Sequence, residues 1–217
     1  MQSPVKVDQV GAALGARVEG VDLSCELDEQ TFTTIQRAFL DHQVLVFPGQ
    51  HLSPEQQVHF TSRFGAVEPH PLRTRRTPEG FPEVMILENR PGVPGARDDV
   101  WPVDVTVTDQ PPSLGVLHAL KIPGNGKGDT QFANLSAAYE SLSSGMGEIL
   151  DGLDGVHSAQ GLATRFNNAQ SDALPITNLP PPIRHPIVRT HPQTARRALF
   201  ISVLEVINFD GMTPEES

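Results

Sequence analysis

The sequence predicts one mainly β domain with helices, spanning residues 1–217, and three observations point to it. Short apolar runs of strand length recur along the chain, separated by turn-rich segments. The punctuation comes from 18 glycines and 20 prolines, enough for many turns but too few for a low-complexity chain. Helical spacing is confined to a few short stretches. Strands and loops therefore carry the architecture, as a sandwich or barrel with helical decoration and not a doubly wound sheet. A chain of 217 residues is long enough to bury a substantial core as a single domain.

The first quarter reads as strand, helix, strand, helix. Over residues 28–42, Phe32, Ile35, Phe39 and Leu40 fall at helical spacing on one face. Val44 to Phe47 then form a short buried strand, stopped by Pro48 and Gly49. Ser53-Pro54-Glu55-Gln56 starts a second helix, with a Ser cap, Pro at the first helical position and Gln three residues after the cap. That helix runs to Arg63. The stretch from Glu68 to Val100 is rich in proline and loops, with one strand at Val84 to Leu87. Strands follow at Val103 to Val107 and Leu114 to Ile122, and helices at Asn134 to Ser143 and Met146 to Leu153. Residues 158–182, polar and rich in proline, read as a mobile insertion. Strands resume at Ile187 to Thr190 and Ala198 to Val203.

Composition narrows the function. A net charge of −10 argues against nonspecific nucleic-acid binding, which relies on Lys and Arg neutralising phosphates. The local basic run at Arg73, Arg75 and Arg76 is either a solvated loop or an anion-attracting rim. Cys25 is the single cysteine, so no intrachain disulfide can form. Neither a signal-peptide core nor a membrane-length apolar run is present, which makes the cytoplasm the expected location.

Four segments carry a more specific signal, and they occur in order along nearly the whole chain. They are Gly15-Ala16-Arg17-Val18-Glu19-Gly20-Val21-Asp22-Leu23, then Trp101-Pro102-Val103-Asp104-Val105-Thr106 with Pro111-Pro112 behind it, then Gly128-Asp129-Thr130 with Phe132-Ala133-Asn134, and finally His185-Pro186-Ile187-Val188-Arg189-Thr190-His191-Pro192. Together they resemble the TauD/TfdA family of Fe(II)/2-oxoglutarate-dependent dioxygenases, the taurine dioxygenase type. The resemblance implies a double-stranded β-helix, or jelly roll, with an N-terminal α/β cap. It implies Fe(II) and 2-oxoglutarate as cofactors and a small, often anionic, organic substrate that is hydroxylated.

In such a family two histidines and one carboxylate hold the iron, leaving positions for cosubstrate and oxygen. The His-x-Asp spacing suits a strand, where residues i and i+2 point to the same side. Here Asp104 stands at the carboxylate position, and Pro102, which has no metal-binding side chain, stands where the first histidine belongs. The resemblance assigns Thr130 to 2-oxoglutarate, and His70 and Asp98 to substrate. Relatives that use sulfonates carry asparagine where Asp98 falls, so sulfonate specificity is not implied. His118, in line with Leu114, Val116 and Leu120, reads as a core residue; a cupin-type metal site around Asp104 and His118 is the weaker alternative.

The resemblance also places the second metal histidine and the 2-oxoglutarate arginine beyond the position of Ser217. The expected fold is therefore incomplete at its C-terminus, with an open sheet edge that a homo-oligomer would cover. Two functions follow. One is a dioxygenase, impaired as this chain stands; the other is a catalytically dead relative acting as a binding or subunit-interaction module, or a truncated gene product.

Overall fold

The computed structural model describes residues 4–72, 76–88, 100–124, 126, 128–168 and 175–217. Its first sixty residues form an α/β unit. Strand β1 (Lys6–Gln9) runs antiparallel to β2 (Ala16–Glu19), and β2 pairs in parallel with β3 (Leu45–Val46). Helix α1 (Glu29–His42) connects β2 to β3. It starts where the Asp28 side chain accepts the Thr31 N–H at 2.7 Å, and it stops at Gln43, whose φ of 65° turns the chain out of the helix. Helix α2 (Pro54–Ser62) opens with the full capping box that its sequence predicts: Ser53 accepts from the Gln56 N–H, and Gln56 accepts from the Ser53 N–H.

These caps aim one apolar face of each helix at the sheet. Val18, Leu23, Leu27, Ile35 and Phe60 form the core, with Val7, Leu45, Phe47 and Phe64 packed around it. Phe32, Phe60 and Phe64 meet edge to face, with centroids 5.0 and 5.6 Å apart, and Arg63 lies 4.2 Å over the Phe32 ring. The Gln50 amide then ties the unit together, accepting from the Leu23 N–H and donating to the Val21 carbonyl.

The second half is less regular. Helices α3 (Leu135–Glu140) and α4 (Ser144–Asp151) precede β4 (Asp154–His157), and α5 (Gln160–Asn168) follows it. Strand β4 is flanked by β5 (Ile183–Pro186) on one side and β8 (Val206–Phe209) on the other, both antiparallel. A separate hairpin joins β6 (Val188–Thr190) to β7 (Arg197–Leu199). Ile187 links the two sheets. It is fully buried, donates its N–H to the Leu153 carbonyl at 3.0 Å and accepts from the Phe200 N–H at 2.7 Å. Its side chain fits against Gly155, where an added Cβ would stand 2.7 Å from the Ile187 Cδ1.

Several expected strands are not formed. The segment from Val84 to Leu87 is irregular, held by bonds from the Val84 N–H to the Phe81 carbonyl at 3.1 Å and from the Ile86 N–H to the Arg76 carbonyl at 2.8 Å. Asp104–Val107 is a turn, and residues 114–122 are irregular. The reason is pairing: an apolar run becomes a strand only beside a partner, and residues 114–122 have none among the described residues. The segment 158–182, read as an insertion, contains α5, and its residues 169–174 lie outside the described ones.

Candidate functional site

The candidate site is built on the turn at Asp104. Pro102 denies a ladder donor to the chain entering it, and Val105 takes a left-handed φ of 55°. A β-branched residue is strained there, at a cost on the order of 1–3 kcal/mol. The turn is held from behind. Thr106 and Val107 are buried, the Thr108 hydroxyl donates to the Val105 carbonyl at 3.3 Å, and the His185 Nε2 lies 3.0 Å from the Thr108 carbonyl. Asp104 itself is exposed, presented on the outer side of the turn.

Two ionisable groups respond to Asp104. His70 is half-buried, and burial holds its pKa below the ordinary histidine value while the Asp104 charge pulls it partly back. Glu205 is 4% exposed, and burial raises its pKa above the usual carboxylate range. The Ser202 hydroxyl donates to Glu205 and counters that shift, whereas the Asp104 charge adds to it. The fold thus brings His70, Asp104 and Glu205 into one neighbourhood. Glu205 was missed from sequence, although a lone carboxylate inside Val203-Leu204-Glu205-Val206-Ile207 is a readable signal.

The remaining assignments scatter. Thr130 is exposed, on the irregular segment leading to α3, and takes no part in the buried cluster. Asp98 lies outside the described residues. His118 is engaged elsewhere, with its Nε2 3.3 Å from the Gln50 carbonyl of the N-terminal unit. His59 pairs with Glu26 on the surface, and His191 caps the β6–β7 turn.

Behind the turn lies a layer of buried polar groups. His157 is fully buried, and among the described residues neither ring nitrogen has a hydrogen-bond partner; the Thr106 hydroxyl shares that condition. The His157 ring packs 5.2 Å from His185 and 5.5 Å from Phe200, and Arg189 lies 4.5 Å over the Phe200 ring. Desolvation first, then the positive fields of His185 and Arg189, lower the His157 pKa to about 4. The imidazole is neutral at physiological pH.

Iron held in the manner of a facial triad needs two imidazoles and a carboxylate converging on one point. Among the described residues, which include all eight histidines, no group of three His, Cys, Asp or Glu side chains could hold a metal ion. The donor set of these described residues does not fit Fe(II), and Thr130, which the resemblance assigns to 2-oxoglutarate, is exposed.

The model of the family described as "Taurine catabolism dioxygenase TauD, TfdA family" matches residues 6–217. The chain is 34% identical over 195 residues to an alkylsulfatase of Acinetobacter baylyi, covering 87% of this chain and 60% of that protein. It is 33% identical over 203 residues to an alpha-ketoglutarate-dependent sulfate ester dioxygenase of Pseudomonas putida, covering 89% of this chain and 64% of that one. The crystal structure of a taurine dioxygenase from Burkholderia xenovorans superposes with a TM-score of 0.72 at 34% identity, over 98% of this chain and 68% of that one. The fold shared with that structure is the jelly roll with strands and helices that the resemblance implies. The chain spans less than two thirds of the length of these two curated relatives.

Proposed function

This chain belongs to the taurine catabolism dioxygenase TauD, TfdA family, and on that premise we propose that it keeps the family's small-molecule fold but does not turn over 2-oxoglutarate. One observation carries the reading: Asp104 is the single recognisable metal donor on its turn, with Pro102 two residues before it. A lone carboxylate is a poor site for a divalent transition metal. The substrate class it would recognise is a small organic molecule, and an anionic one fits the relatives named for sulfate ester, phenoxypropionate and dichlorophenoxyacetate.

Association of copies is part of the same proposal. Leu117, Leu120, Ile122 and Val203 are 70%, 82%, 74% and 84% exposed, a surface that a second copy would cover. No helix among the described residues is long and apolar enough to cross a membrane, and a cytoplasmic location is the one we propose.

A competent enzyme is the rival reading, favoured by the position of His70 beside Asp104, where an imidazole could serve as a second donor. Anaerobic titration with Fe(II) and 2-oxoglutarate separates the two. We expect no stoichiometric iron and no succinate on admitting oxygen. Tightly held iron that is lost in His70→Ala would establish the rival.

A further inference from the structure

The strained turn and the buried histidines behind it form one device. Val105 is β-branched and sits at a φ of 55°, a conformation it leaves when free. What holds it is the fixed position of Thr108. The Thr108 carbonyl meets the His185 Nε2 at 3.0 Å, and the Thr108 hydroxyl returns to the Val105 carbonyl at 3.3 Å. His185 can hold that position because its own ring is wedged edge-on between His157 and Phe200, with centroids 5.2 and 5.4 Å away. The wedge stands on β4 and β5, where His185 of one strand and Gly155 of the other are register partners and His157 lies two residues along.

We propose that His185, seated on His157, is the positioning residue for Asp104. Its ring N–H donates to the Thr108 carbonyl and so keeps Val105 in the left-handed conformation that presents the Asp104 carboxylate outward. The tautomer follows from this geometry, since a carbonyl can only accept, so Nε2 carries the proton. His157 serves as an apolar seat and must stay neutral to do so. The charged or titratable groups that face it are His185 from β5 and Arg189 from β6, both able to carry positive charge, while β8 presents the aliphatic Val206. A proton on His157 would meet those fields with no acceptor for either ring N–H. Acidification therefore unseats His185 and frees the turn.

The proposal rests on the reading of Asp104 as the site carboxylate, but the experiment reads the turn itself. Hydrogen exchange of the peptide covering residues 100–110 is followed in the full chain, with α1 as internal reference. His185→Phe keeps the ring packing and removes the donor; we expect exchange in the turn to rise about tenfold while α1 is unchanged. His185→Gln restores a donor at the right reach and should return exchange to within about threefold of the parent chain. Val105→Asn, which tolerates a positive φ, should shrink the His185→Phe effect to below about threefold, because the strain that the clip restrains is gone. Lowering the pH toward 4 should reduce the protection of the turn, read as its exchange rate relative to the intrinsic rate at each pH, in the parent chain and leave that protection flat in His157→Phe over the same range. Equal exchange in His185→Phe and the parent chain, with the fold intact, overturns the proposal. So does equal acceleration in His185→Phe and His185→Gln, which would make the residue simple packing. Asp104→Asn should leave all of these rates unchanged; the functional reading of Asp104 is tested separately by the anaerobic Fe(II) titration, and it can fail there while the positioning device stands.

Discussion

The two halves of this molecule solve the same packing problem with opposite materials. Residues 5–64 close an apolar core with capped helices, a paired sheet and a run of interlocking phenyl rings. Residues 100–217 bury His157, Thr106, Ser202 and Glu205 while leaving Leu117, Leu120, Ile122 and Val203 in solvent. The contrast teaches where each kind of information resides. The first half caps its helices with residues a few positions away and closes its core with apolar side chains alone. The second holds polar groups inside, which a fold retains at a cost in stability, and these are the groups nearest the candidate site.

The sharpest way to break this comparison is to empty the apolar core. Ile35 is fully buried, and Ile35→Ala should cost about 2–5 kcal/mol in urea denaturation, whereas Leu120→Ala on the exposed segment should change stability by less than about 0.5 kcal/mol. Comparable losses at the two positions would mean that residues 114–122 are packed in solution.

Acid is the next lever, and its largest effect should come from His157 in the second half. The His157 pKa is about 4 in the folded chain, below the ordinary value of 6.5. Above pH 6.5 the group is neutral in both states and contributes no pH dependence. As pH falls from there toward 4, the unfolded chain takes up a proton that the folded chain refuses, so stability declines. At about 1.4 kcal/mol per unit the loss is on the order of 3 kcal/mol. Glu205 acts in the opposite sense, since its raised pKa stabilises the fold at low pH and that contribution is lost as pH rises through its folded value. Urea midpoints measured between pH 7 and 4 should flatten in His157→Phe; an unchanged slope would place the acid sensitivity elsewhere.

A smaller effect tests the helix caps. Asp28→Ala removes the acceptor for the Thr31 N–H and should cost about 1 kcal/mol, read as a lower urea midpoint without a change in slope. The smallest expected effect concerns metal. Pro102→His adds an imidazole beside Asp104 but no further donor, so isothermal titration with Fe(II) should still show no stoichiometric site; a tight site in that variant would mean that His70 or Glu205 completes it.

Sequence reading succeeded where structure is decided within a few residues. The Ser53 cap, the apolar face of α1 and the opening of α2 all follow from neighbours three or four positions apart. It failed where a distant partner decides. Val103 to Val107 alternates like a strand, yet with Pro102 at its entry and no ladder beside it, the segment turns and twists Val105 into a strained conformation. Likewise His185 was legible as part of a family motif, but its grip on Thr108 spans 77 positions and leaves no local trace. The proximity of Glu205 to Asp104 is of the same kind. Of the candidates read from sequence, Asp104 and His70 lie near enough for the Asp104 charge to act on the imidazole, while Thr130 is exposed.

Ile187 has a further consequence for how this chain can change over time. One buried residue closes the hydrogen bonds of two sheets, and its side chain occupies the space a Cβ on Gly155 would need. The two positions are coupled. A methyl at Gly155 requires the isoleucine Cδ1 to shift, and a smaller residue at 187 opens a void at the seam between β5 and β6. Gly155→Ala should therefore cost less stability when accompanied by Ile187→Val than alone. The joint thus makes the space at one strand depend on the side chain carried by another, across the seam of two sheets.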